Sequence, residues 1–171
     1  CVLGTLSYNG QRCTALKILF VHSQIVDTFL ERFSEAIAQL KFGMPWEKGV
    51  TVTPLPELEK IKYFTDLVED AKQFGAQVVN EGGGMIDKTF FYPAVLYPVN
   101  SKMRVYHEEQ FGPVIPVISF DNIMEPIEYI HNSDYGQQVS IFGRDSDMLA
   151  KLIDPLVNQV SRVNINSQCQ R

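Results

Sequence analysis

Short apolar runs alternate along this chain with longer stretches whose apolar residues recur at helical spacing. That alternation restricts the possible folds more than any other feature. Leu16 to Val21 (LKILFV) is the first apolar run and reads as a buried strand. Val26, Phe29, Leu30, Phe33, Ile37 and Leu40 then mark one helical face, with Ser23 offering a side-chain oxygen as the cap. Gly43, Pro45 and Gly49 end that helix in a loop. A second helix takes Pro56 in its first turn, carries Leu58, Ile61, Leu67, Val68, Ala71 and Phe74 on one face, and stops at Gly75.

The second half repeats the pattern. Gln77 to Asn80 reads as a short strand, Gly82-Gly83-Gly84 as a turn, and Thr89 to Leu96 as an aromatic, β-branched strand. Val114 to Phe120 is another strand, with Pro116 required to sit where no ladder hydrogen bond is needed. Ile123, Ile127 and Ile130 mark a third helix, and Ser146 to Leu156 a fourth, with Pro155 near its end. Val139 to Phe142 and Val160 to Ile165 are the last strands. The prediction is an α/β domain with a mostly parallel sheet and helices on both faces. No linker or repeat interrupts it, so residues 1–171 read as one domain.

Composition excludes several classes. A formal net charge of −5 does not suit a nucleic-acid binder, whose phosphate contacts need a basic surface. No apolar run is long enough to span a bilayer, and the first residues lack the pattern of a secretory signal. Three widely spaced cysteines suggest neither a disulfide framework nor a zinc site, and a reducing, cytoplasmic setting is the expectation. The chain begins at Cys1 without Met and ends on polar residues, which reads as a piece of something longer.

Two segments carry the chemistry. Gly10-Gln11-Arg12-Cys13-Thr14-Ala15 puts a thiol in a loop beside a cation, where a thiolate nucleophile would be favoured. Taken alone, Cys13 reads more readily as a small buried hydrophobe, and the surrounding motif reverses that. Far downstream, Glu108-Glu109-Gln110-Phe111-Gly112-Pro113-Val114 offers a carboxylate and an aromatic ring beside a strand. His22, His107 and His131 are scattered, so no metal site is expected. Asp66, Glu69 and Asp70 read as a solvated helix face, the triple glycine as a plain turn, and Cys169 as a bystander.

These segments, with Gly75-Ala76, Tyr92-Pro93-Ala94-Val95-Leu96, Asn132-Ser133-Asp134-Tyr135-Gly136 and Val163-Asn164-Ile165-Asn166 in order, resemble the aldehyde dehydrogenase family. The resemblance covers essentially the whole chain. It implies the nucleophile-bearing catalytic domain, with Cys13 attacking an aldehyde and its own N–H steadying the oxyanion. It also implies NADP or NAD as cofactor, with Glu109 on the nicotinamide ribose and Phe111 near the ring. Arg12 beside the nucleophile and the stretch Asn166-Ser167-Gln168-Cys169-Gln170-Arg171 lean toward the non-phosphorylating glyceraldehyde-3-phosphate dehydrogenases. In that reading Arg12, Thr14 and Arg171 line the substrate pocket, and two guanidinium forks suit a phosphate. The alternatives are a relative acting on an unphosphorylated aldehyde and a non-enzymatic fragment or pseudoenzyme.

The departures matter too. No G-x-G-x-x-G element follows a strand, so the dinucleotide-binding domain is expected to be missing, with the general-base glutamate and an oxyanion-hole amide. Gln137 and Pro155 also differ from the family's usual residues. The implied partner is a small aldehyde, the full-length protein is expected to form a homo-oligomer, and the isolated chain is expected to be inactive.

Overall fold

A computed structural model of the chain describes residues 1–169. Its elements in chain order are α1 (Val2–Leu6), β1 (Leu19–His22), α2 (Val26–Ala38), α3 (Leu58–Gln73), β2 (Gln77–Val78), β3 (Ile86–Asp87) and β4 (Phe90–Phe91). There follow β5 (Ala94–Tyr97), α4 (Arg104–His107), β6 (Val114–Phe120), α5 (Met124–His131), β7 (Val139–Ile141), α6 (Ser146–Leu156) and β8 (Val163–Ile165). The central sheet has the order β1-β6-β5-β2. β1 and β5 run parallel to β6, with Leu19 opposite Val117 and Ala94 opposite Val114, and β2 is an antiparallel edge.

Strand alternation divides the core between the two faces of this sheet. Val95, Ile115 and Val117 join Leu19 and Val21 against Leu30, Phe33 and Ile37 of α2. Ala94, Leu96 and Val114 point the other way, onto Phe64, Leu67, Val68 and Ala71 of α3. Helices thus cover both faces, as the apolar pattern required. Pro116 is tolerated in the central strand because β6 changes partner there: its register with β5 ends at Pro116 and that with β1 starts at Val117. α3 ends as Gly75 predicts, at φ +102, with Gly75 N–H on Lys72 O at 3.1 Å and Ala76 N–H on Ala71 O at 3.0 Å.

The structure corrects several local expectations. β7 and β8 form a parallel pair apart from the central sheet, because Ile127, Ile141 and Leu156 close a small core of their own with α5 and α6. Ser23 does not cap α2: the start of Asp121 lies beside the end of β1, and its carboxylate takes the Ser23 hydroxyl. His22 Nδ1 instead accepts the Gln24 N–H at 3.3 Å over a single 3-10 turn. Pro56 lies just before α3, whose first turn follows an extended Glu57, since Leu55 is pinned to Thr89 O at 2.8 Å. The stretch from Thr89 splits at Tyr92-Pro93, where buried Asn80 supplies the missing bonds. Its Nδ2 donates to Pro93 O and its Oδ1 accepts the Val95 N–H, both at 2.8 Å.

α6 depends visibly on its cap. Asp145 accepts the N–H groups of Asp147 and Met148 at 2.9 and 3.1 Å, while Pro155 removes a bond near the other end. Asp145→Ala should therefore destabilise the protein by about 1 kcal/mol in urea unfolding. An unchanged midpoint would show the cap to be redundant.

Candidate active site

The nucleophile loop is shaped by a run of left-handed backbone. Tyr8, Asn9 and Gly10 have φ values of 54°, 59° and 72°. Buried Asn9 stabilises that geometry, with Nδ2 on Thr53 O and Oγ1 at 3.2 and 3.1 Å and Oδ1 accepting the Thr53 N–H at 3.0 Å. A turn closed by Ala15 N–H on Arg12 O, 3.0 Å, then lifts Cys13 to the surface and buries Thr14. The Cys13 thiol and the Cys13 N–H have no hydrogen-bond partner among the described residues. An accessible thiol beside an uncommitted N–H can attack a carbonyl and steady the oxygen anion that results.

The second segment meets this loop directly. A Cβ added to Gly10 would lie 2.7 Å from Gly112 O, so the two motifs touch through bare backbone. Residues alternate in and out along Glu108–Gly112. Glu108 points inward and is claimed by Arg104, Nε to Oε1 at 2.7 Å and Nη2 to Oε2 at 3.2 Å, and by the Tyr63 hydroxyl at 2.9 Å. The Arg104 bonds hold the Glu108 carboxyl below its usual range, and the Tyr63 phenol is pushed up to about 12 by burial and by Glu108. Glu109 points outward, its carboxylate free of hydrogen bonds among the described residues and its N–H on the Tyr135 hydroxyl at 3.3 Å. Gln110 is buried and ties the segments together, donating from Nε2 to Lys17 O at 2.8 Å and Val114 O at 2.7 Å. Phe111, at φ +49, is 36% exposed, and Gly112 lies against the Phe64 ring.

Cys13, Glu109 and Phe111 are thus exposed on two loops that meet at Gly10 and Gly112. Arg12 sits in the same loop, but its guanidinium is engaged locally, with Nη1 on Ser7 Oγ at 3.4 Å and the group over the Tyr8 ring at 5.2 Å. Arg171 lies outside the described residues. Cys169 is buried against Ser140 Oγ at 3.1 Å, and burial pushes its thiol up. Asp66 and Glu69 pair with Lys62 and Lys72 on an exposed face, but Asp70 does more: it accepts the Arg104 N–H at 2.8 Å and starts α4. Among the described residues no three His, Cys, Asp or Glu side chains could share a metal ion. No described helix is long and apolar enough to cross a membrane.

Sequence reasoning missed Lys17. Its ammonium donates to Tyr106 O and the Tyr129 hydroxyl, both at 2.7 Å, and lies 5.4 Å from the Tyr129 ring and 5.7 Å from that of Tyr135. A lysine inside the run LKILFV was the available signal, because a charge in a buried strand approach needs partners. Tyr63 and Gln110 were missed as well, and nothing in their local sequence marks them.

An accessible thiol loop thus packs on a carboxylate-aromatic loop carried by an α/β sheet. The chain matches the aldehyde dehydrogenase family model over residues 1–171 and belongs to that family. It is 35% identical to an NADP-dependent glyceraldehyde-3-phosphate dehydrogenase of Streptococcus equinus, over 99% of this chain and 35% of that protein. Among solved structures, an NADP-dependent glyceraldehyde-3-phosphate dehydrogenase from Bacillus halodurans C-125, complexed with NADP, superimposes with a TM-score of 0.91 at 35% identity. A succinate-semialdehyde dehydrogenase from Burkholderia pseudomallei superimposes at 0.92 with 27% identity. Both structural matches cover 99% of this chain and 35% of the other, so the chain spans about a third of these relatives.

Proposed function

We propose that this chain is the nucleophile-bearing domain of an NAD(P)-dependent aldehyde dehydrogenase that oxidises glyceraldehyde 3-phosphate to 3-phosphoglycerate. The observation that carries the reading is the contact of Gly10 with Gly112, which joins the thiol loop to the Glu109–Phe111 loop. A nicotinamide dinucleotide fits those residues: the Glu109 carboxylate keeps its acceptors for a ribose diol, and the exposed Phe111 ring offers a flat apolar face. Cys13 Sγ, as thiolate, bonds to the aldehyde carbon while the carbonyl electron pair moves to oxygen. The Cys13 N–H donates to that oxygen. A nicotinamide held by Glu109 and Phe111 would supply the hydride acceptor, and the oxidised carbon stays attached to Cys13 as a thioester. Water then cleaves the thioester, releasing the acid and returning the thiol. No acid or base hydrogen-bonds Cys13 among the described residues.

Identity to glyceraldehyde-3-phosphate dehydrogenases supports the phosphorylated substrate, and Arg12 is the residue of this chain best suited to its phosphate. A second reading, an unphosphorylated aldehyde, is favoured by the local engagement of Arg12 with Ser7 and Tyr8. The test is NADP reduction by the intact protein, without inorganic phosphate, on glyceraldehyde 3-phosphate and plain glyceraldehyde. The proposal expects a strong preference for the phosphorylated aldehyde. It also expects Arg12→Ala to raise its KM about 10- to 100-fold, the worth of a charged hydrogen bond, while leaving glyceraldehyde unaffected. Equal rates would move the assignment to the second reading.

A further inference from the structure

Lys17 follows the nucleophile by four positions, and its ammonium reaches α4 and α5, the helices on either side of the second motif. Four contacts converge there. Its ammonium holds Tyr106 O of α4 and the Tyr129 hydroxyl of α5, both at 2.7 Å. The Tyr135 ring lies 5.7 Å from the ammonium, and the hydroxyl of that same ring accepts the Glu109 N–H at 3.3 Å. The Lys17 carbonyl takes the side chain of Gln110 at 2.8 Å. One residue therefore touches the segment on both sides of Glu109, from the strand approach that begins at Cys13.

We propose that Lys17 is a positioning residue: acting through Tyr135 and by its charge, it holds the Glu109–Phe111 loop in the form that receives the nicotinamide ribose. This rests on the reading of Glu109 as the ribose-binding carboxylate. A half-buried ammonium is costly unless its charge is answered, and the charges that face it are Glu108 and Glu109. The other titratable groups around it are Tyr106, Tyr129 and Tyr135. Burial pushes the Tyr106 and Tyr129 phenols up, and Arg104 holds Glu108 down. Neither those two phenols nor the Glu108 carboxyl changes charge near neutrality. Burial lowers Lys17 itself to about 8, against the pull of Glu109 and Glu108. Its charge is present below that pH and lost above it, so the hold on Glu109 weakens as pH rises through about 8.

The cage survives loss of the ammonium, because the Tyr129 hydroxyl also donates to Tyr106 O at 3.0 Å. Lys17→Met can thus be examined as a folded protein. The readouts are the Kd of reduced cofactor by fluorescence, from pH 6 to about 9.5, and amide exchange at residues 108–112 without cofactor. Lys17→Met should weaken binding about tenfold and speed exchange at Glu109, with exchange in α2 and α3 unchanged. Lys17→Arg should bind within about threefold of wild type and lose the alkaline decline, since a guanidinium keeps its proton. Tyr135→Phe, which removes only an exposed hydroxyl, should speed exchange at Glu109 alone. Wild-type affinity and wild-type exchange in Lys17→Met would overturn the proposal, as would an alkaline decline that persists in Lys17→Arg. A wild-type protein that binds no cofactor would overturn the reading of Glu109 first, and this inference with it. Normal wild-type binding with no effect of Lys17→Met would overturn this inference alone.

Discussion

Cys13→Ser in the intact protein should lower aldehyde oxidation by about 10⁴- to 10⁶-fold while leaving the fold intact. Sulfur is the atom at issue, because a serine hydroxyl in the same turn ionises far less readily. No acid or base side chain hydrogen-bonds Cys13 among the described residues. The same isolation makes the substitution benign for stability. Cys13 is exposed, its thiol makes no hydrogen bond, and the turn is closed by Arg12 and Ala15 backbone atoms. Unfolding free energy should shift by less than about 0.5 kcal/mol, as at other surface positions. Cys169→Ser supplies the contrast, since its thiol is buried against Ser140 and should matter to packing alone. A Cys13→Ser protein with more than a tenth of wild-type turnover would remove covalent thiol chemistry from the mechanism.

The parts of this molecule legible in its sequence are those that local patterning governs. α2 and α3 could be read because Val26, Leu30, Phe33 and Ile37, and Leu67, Val68 and Ala71, repeat with the helix and are buried accordingly, whereas Leu58 and Phe74, expected on the same face of α3, are exposed. Gly75 announced the end of α3 because only a positive φ completes that stop. Cys13 and the Glu108–Val114 segment were visible as chemistry, but their contact was not, since it is made by the bare backbone of Gly10 and Gly112. Glu108 and Glu109 are identical letters with opposite fates. Tyr63 and Arg104, neither adjacent in sequence, claim the first and leave the second free. Ser23 failed as a cap for the same kind of reason: Asp121 arrives from the neighbouring strand and takes its hydroxyl. Apart from Arg104, which stands four residues from Glu108, what sequence hid was a partner brought from a distance.

Gly112 is the position where such a partner leaves no room. A methyl group there would lie 2.5 and 2.7 Å from Cε1 and Cε2 of Phe64, and closer still to Cζ. Phe64 cannot yield easily. It is fully buried, packs edge-on against Phe91 at 5.5 Å, and belongs to the cluster that joins α3 to the sheet. Gly112→Ala should therefore destabilise the protein by about 3 kcal/mol, the upper range for overpacking. For a chain of this size that lowers Tm by about 6 to 12 °C. The backbone must also retreat from Phe64, and Gly112 O already lies where Gly10 tolerates no side chain. Cofactor affinity should fall with stability, because Phe111 and Glu109 ride on the displaced segment. A second substitution separates this mechanism from a generic loop defect. Phe64→Ala alone should cost about 3 to 5 kcal/mol by leaving a cavity. In combination with Gly112→Ala the two costs should fall well short of their sum, because the cavity accepts the methyl group. Strict additivity in urea unfolding would show that the methyl group meets something other than the ring, and that the loop is fixed by a different contact.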